Sequence, residues 1–175
     1  MRHSAFALVL LATAAATLSA QAPPPTTGPA SEVQATYTRF KGNILKAAEK
    51  MPADQYTYKL TPEIRTFARV VNHITEAQFH TCTALNGTAF IPTSVPGDAA
   101  DKTAVLAGLK ASFTECDKAY AALTDANIAE MITNGPNKRS RIGMAWSNIS
   151  HDDEQYAHLS LYLRGKNLLP PTVEK

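Results

Sequence analysis

The chain has no glycine-rich phosphate-binding loop, no nucleophile elbow and no clustered cysteine ligand set. P-loop nucleotide chemistry, serine-hydrolase chemistry and cysteine-ligated zinc therefore have no motif to start from. There is also no basic run. Lysine and arginine number 17 against 15 aspartates and glutamates, a formal net charge of +2, so nucleic acid is not an expected partner. No segment sustains period-two alternation, which argues against a sheet protein. No apolar run reaches the roughly 20 strongly hydrophobic residues of a membrane span. Cysteine is scarce: Cys82 and Cys116 make up the whole complement.

What is present begins with an export signal. Arg2 and His3 form a short basic start, Ala5 to Leu18 is an uninterrupted run of apolar and small residues, and Ser19-Ala20 supplies the small residues a signal peptidase needs. Cleavage after Ala20 is expected, giving a secreted, periplasmic protein with no membrane attachment after cleavage. Residues 21–31 are Pro/Thr-rich and read as a linker; residues 32–175 have the size of one domain. Removing the signal takes away only Arg2 and leaves 16 basic against 15 acidic residues. In an oxidising compartment an even cysteine count permits one disulfide. The bridge is favoured over two buried thiols, which would act as small hydrophobes, provided the two Cα atoms fall within about 7 Å.

The rest of the chain carries helical periodicity. Val33, Tyr37, Phe40, Ile44, Ala47 and Met51 recur at spacings of four and three, the seam of an amphipathic helix that Pro52 ends. Thr61-Pro62-Glu63 reads as a second helix start, with Thr61 as cap and Pro62 in the first turn; Asn86-Gly87 breaks that helix. Asp101 opens a third helix with the seam Leu106, Leu109, Phe113, Cys116, Tyr120 and Leu123. Ala126 to Ile132 reads as a short helical turn ended by Asn134-Gly135-Pro136. A fourth helix is expected from Arg139 to Arg164, with Ala145, Ile149, Tyr156, Leu159 and Leu163 on its seam and Asp152 interrupting it. The expected fold is all-α, an antiparallel four-helix bundle, and the long second connection allows a crossover.

Against that regular core the polar exceptions stand out. On the fourth helix, Asn148, His151, Gln155, His158 and Tyr162 point one way, and His151 and Gln155 are one turn apart, so their side chains converge. On the second helix, Val70, His73, Ala77, His80 and Ala84 lie along one line, with Ala77 and Ala84 leaving space before the imidazoles. Setting His73 opposite His151 and Gln155 gives two nitrogens and one amide oxygen around a cavity. Such imidazoles suit zinc, nickel or iron, but an amide is uncharged and a much poorer ligand than a third histidine. His80 and His158 are expected at a bundle end or on the surface. Asp152 is a candidate to orient a histidine from behind, with Asp153 and Glu154 solvated.

The helix from His151-Asp152-Asp153-Glu154-Gln155-Tyr156 through Leu161-Tyr162-Leu163-Arg164 to Leu169-Pro170-Pro171 resembles the last helix of the DinB-like superfamily. The stretch from Phe67 through His73 to Cys82 resembles that superfamily's second helix, and Leu109 to Lys118 its third. The resemblance implies a four-helix bundle with a long crossover and a metal site, usually of three histidines, at one end of the interior. It also implies nickel or zinc, and relatives that include thiol-dependent transferases and isomerases working with bacillithiol or mycothiol. Carried over residue by residue, His73 matches the second-helix ligand and His151 the first of the fourth-helix pair. Position 155, the other member of that pair, is glutamine here.

Two functions are expected from this reading. One is a metal-dependent transferase or hydrolase in which His73, His151 and Gln155 hold a divalent ion, with Asp152 or Glu154 as helper or base. The other is a non-catalytic envelope protein whose bundle cavity binds a small molecule or whose role is structural or stress-related. A homodimer stays open as a further partner.

Overall fold

The computed structural model describes residues 28–134 and 136–174; the signal peptide and most of the linker expected from the sequence lie outside the described residues. Four long helices dominate: α1 (Pro29–Lys50), α2 (Phe67–Asn86), α3 (Lys102–Ala121) and α4 (Arg141–Gly165), with a hairpin of β1 (Met131–Asn134) and β2 (Asn137–Ser140) between α3 and α4. The bundle is the fold class expected. Among the described residues, no helix is long and apolar enough to cross a membrane.

The helices follow their seams, with shifted starts: α4 begins at Arg141, two residues after the expected Arg139, because Arg139 and Ser140 belong to β2, and the largest shift is in α2. α1 begins at Pro29, inside the stretch read as linker, where proline suits a first helical position. Its Ala30 N–H is capped at 2.8 Å by Asp125 Oδ1 from the turn that follows α3. Val33, Tyr37, Phe40, Ile44, Ala47 and Met51 are all buried. Helix α2 starts six residues after the expected cap. Thr66, not Thr61, accepts the Arg69 N–H at 3.1 Å. The Tyr56 and Tyr58 carbonyls take the Ala68 and Phe67 N–H groups, tying the preceding segment back against the helix end, so Thr61–Ile64 becomes a separate turn. At the other end Gly87, at φ 71°, terminates α2 in the left-handed conformation. Asp101 caps α3 and Ser140 caps α4.

The crossover lies where the long second connection allowed it. Asn72, near the start of α2, donates to the Pro96 and Gly97 carbonyls, so residues 87–101 run back along the bundle before α3 begins. α2 and α3 therefore run parallel, with Thr75 near Gly108 and Cys82 joined to Cys116. A Cβ at Gly108 would sit 2.6 Å from Pro96 Cδ; glycine makes room for the crossover there. The antiparallel neighbours are α1 with α3 and α2 with α4. Lys102, opening α3, reaches the Glu49 and Met51 carbonyls at the end of α1. His73 meets His151 near one end of the α2–α4 pair, and Arg141 reaches the Leu85 carbonyl near the other.

The segment expected as a helical turn from Ala126 to Ile132 is one only in part. Turn bonds run from Thr124 to Glu130, but Met131 and Ile132 then pair with Ser140 and Arg139 across the hairpin. Strands of four residues are too short to display alternation, and their pairing partner, not their pattern, makes them strands. The core is continuous through all four helices. Phe67, Phe113, Leu109 and Leu159 are essentially sealed, each contributing roughly 2 kcal/mol by burial.

The two cysteines form a disulfide with Cα atoms 4.9 Å apart, within the reach required.

Candidate functional site

α2 and α4 run antiparallel, and their facing registers bring His73 and His151 together. The two Nε2 atoms are 3.1 Å apart, with the rings edge to face at 4.9 Å between centroids. The two imidazoles form the floor of an open cleft of about 640 Å³. Gln155 and His158 continue the floor along α4. Leu60, Ile64, Val70 and Leu161 supply apolar wall, and Glu63, Arg65 and Glu154 also line it.

Burial, chiefly, holds both imidazoles below the ordinary histidine pKa. The Arg65 charge pushes the same way on each, and on His151 Glu154 partly opposes it. Both rings are thus neutral near pH 7 with a lone pair available. In the metal-free site one Nε2–H donates to the other ring, the direction depending on the tautomer. His151 Nδ1 is buried without a partner, so no carboxylate or carbonyl supports this ring from behind.

Gln155 is buried at 4% exposure. Its Oε1 lies 3.4 Å from His158 Nδ1, a long, weak contact. His158, expected at the surface or a bundle end, is exposed by area yet lines this cleft; its spacing of seven residues from His151 already put it on the same face. His80 stays away. It is exposed and packs on Phe90 at 3.9 Å beside a different, shallower cleft that includes Ala84, so the space left by Ala84 does not serve His73.

Asp152 does not orient a histidine. It is fully buried and takes both its hydrogen bonds from Gln78 Nε2, at 2.7 and 2.8 Å. Gln78 Oε1 accepts from Asn148 Nδ2 at 3.0 Å and lies against the Cys116 disulfide sulfur. Asn148 continues to the Tyr120 hydroxyl, which donates to the Ala145 carbonyl. Burial pushes the Asp152 carboxyl up to about 7, with the Gln78 bond opposing. This polar core ties α2, α3 and α4 together behind the histidines, and a helical wheel of α4 alone could not show it, because Gln78 comes from another helix.

The donor set admits two imidazoles. Among the described residues no group of three or more His, Cys, Asp or Glu side chains is placed to hold an ion. Two nitrogens bound side by side to one ion at about 2.1 Å would lie roughly 3.0 Å apart at an octahedral angle and about 3.4 Å apart at a tetrahedral one, and the 3.1 Å separation of His73 and His151 falls within that range. The residues present fit a two-imidazole site that needs water or the Gln155 amide to fill its remaining positions.

Residues 36–159 match the family model described as the DinB superfamily. The chain belongs to the DinB superfamily. Solved structures agree in fold. A DinB-like protein of Bacillus cereus superposes with a TM-score of 0.65 at 16% identity, covering 81% of this chain and 95% of that one. A DinB-like protein of Bacillus subtilis gives 0.63 at 15% identity, covering 78% and 92%. A conserved protein of Enterococcus faecalis gives 0.64 at 14% identity, covering 79% and 97%. No curated protein matches the sequence. At these identities the DinB-like structures speak for the fold alone.

Proposed function

We propose that this is an exported DinB-like protein that binds one divalent ion, nickel, zinc or iron, through His73 and His151, with Gln155 as a weak third donor. The observation that carries the reading is the 3.1 Å approach of two neutral imidazoles on the floor of a ligand-sized cleft. A bound ion would supply Lewis acidity, polarising an oxygen or sulfur of a substrate in a transferase or hydrolase reaction. The chain's own residues would do the rest. His73 and His151 hold the ion, Leu60, Val70 and Leu161 exclude water from one wall, and Arg65 and Glu154 flank the position with opposite charges. Export to the periplasm, where a disulfide is retained, accords with the Cys82–Cys116 bridge.

The test is metal analysis of protein purified without an affinity tag, followed by calorimetric titration of zinc into metal-free protein and into His73→Ala and His151→Ala. About one equivalent of zinc, lost in both variants, is the expected result. Metal-free protein that gains no stability from added ions would refute the reading, since a ligand selective for the native state must raise apparent stability.

A second reading is favoured by the glutamine at position 155 and by the absence, among the described residues, of any group of three or more His, Cys, Asp or Glu side chains placed to hold an ion: the cleft holds a small apolar molecule and the protein is not an enzyme. In that case apolar ligands would protect metal-free protein against unfolding while metals would not.

A further inference from the structure

Arg65 is the feature of the cleft that metal binding leaves unused. It sits in the irregular segment before α2, held to the wall by the Tyr162 hydroxyl, which donates to the Arg65 carbonyl. Its guanidinium enters none of the ion pairs among the described residues, whereas neighbouring Arg69 is drawn between Glu76 and Asp98. Two carboxylates, Glu63 and Glu154, share the lining, and neither lies within ion-pair distance of the Arg65 guanidinium. A guanidinium presents a planar fork of donors that matches a carboxylate in two parallel hydrogen bonds. Next to it, Leu60, Ile64, Val70 and Leu161 provide an apolar surface in a volume suited to a small organic molecule.

Charge decides which anion. One guanidinium against two carboxylates leaves the metal-free lining at a formal −1, and a divalent ion turns it to +1. One negative charge is then balanced, while a doubly charged phosphate ester would be repelled by Glu63 and Glu154. We propose that the cleft takes a small monocarboxylate with an apolar body, its carboxylate held by Arg65 next to the ion and its body against the leucines, Ile64 and Val70, an inference that rests on the metal-binding reading.

Octanoate, octylamine and octanol, titrated calorimetrically into metal-free and zinc-loaded protein and into Arg65→Gln, make the test. Octanoate should bind zinc-loaded protein at least about tenfold more tightly than metal-free protein. Arg65→Gln should lose about tenfold for octanoate and nothing for octanol, while still binding zinc, which also shows that it is folded. Equal octanoate affinity in Arg65→Gln and the parent, or tighter binding of octylamine than of octanoate, would overturn the carboxylate site and leave the metal reading untouched. Failure of zinc to bind the parent overturns the metal reading instead; an Arg65-dependent octanoate site in metal-free protein would then stand by itself.

Discussion

Replacing both Cys82 and Cys116 by alanine should cost this bundle about 4 kcal/mol. The bridge closes a loop with a sequence separation of 34, and in the chain-entropy account a loop of that length removes about 12–13 cal/mol/K from the unfolded ensemble, close to 4 kcal/mol at room temperature. That loop contains the last five residues of α2, the whole crossover and the first fifteen residues of α3, so the bridge pins the C-terminal end of α2 to the distal part of α3. Both cysteines are fully buried, so losing two sulfur atoms adds a packing cost rather than offsetting the entropy. The assay is urea unfolding of the oxidised protein, of the reduced protein and of Cys82→Ala/Cys116→Ala. At a denaturant slope of about 2 kcal/mol per molar, the midpoint should fall by roughly 2 M in both uncrosslinked forms. The slope itself should rise slightly, because the uncrosslinked unfolded chain exposes more surface. Two titratable thiols per chain in unreduced, denatured protein, or coincident midpoints for all three samples, would refute the reasoning.

Gln155→His should strengthen zinc binding at least about tenfold, roughly 1.4 kcal/mol, measured by competition with a chromophoric chelator; an unchanged affinity would mean that position 155 does not face the ion. In metal-free protein, Asp152→Asn should separate from the parent with pH. The Asp152 pKa is raised from the unfolded 3.8 to about 7, so the parent loses stability as pH climbs from the unfolded value towards the folded one, by up to roughly 4 kcal/mol. The variant should therefore gain on the parent between pH 4 and pH 8 in urea midpoints, and a difference independent of pH would refute the burial argument. Gln78→Leu removes the donor that holds that carboxylate and should cost about 3 kcal/mol at pH 8 but much less at pH 4, by the same measurement. Thr66→Ala should cost about 1 kcal/mol by loss of the α2 cap, whereas Thr61→Ala should cost little in the same thermal or urea melts.

The seams of α1, α3 and α4 were legible because an apolar stripe at spacings of three and four is a local pattern, and every seam residue of α1 is buried in the bundle. The caps Asp101 and the terminator Gly87 were legible for the same reason. The start of α2 was not. Thr61-Pro62-Glu63 carries the better local signal, and it loses to Thr66 because the Tyr56 and Tyr58 carbonyls claim the N–H groups of Ala68 and Phe67. At the cleft, His73, His151 and Gln155 could be named from helical spacing and family resemblance together. Arg65 could not, since a lone arginine in a loop carries no pattern. His158 is exposed, as expected, but that it also lines the cleft could not be seen, because spacing alone does not say where a cleft opens.

By itself the sequence determined the helical seams, the bundle class and the membership in the DinB superfamily, all of which follow from periodicity and from order along the chain. Only the tertiary structure decided that α2 and α3 run parallel, that Asp152 turns to Gln78 instead of to a histidine, and that the imidazoles of His73 and His151 meet at 3.1 Å. The physical reason is the same in each case. A helix fixes which residues share its own face, but which donor, ring or sulfur stands opposite that face is set by the packing of another helix, tens of residues away.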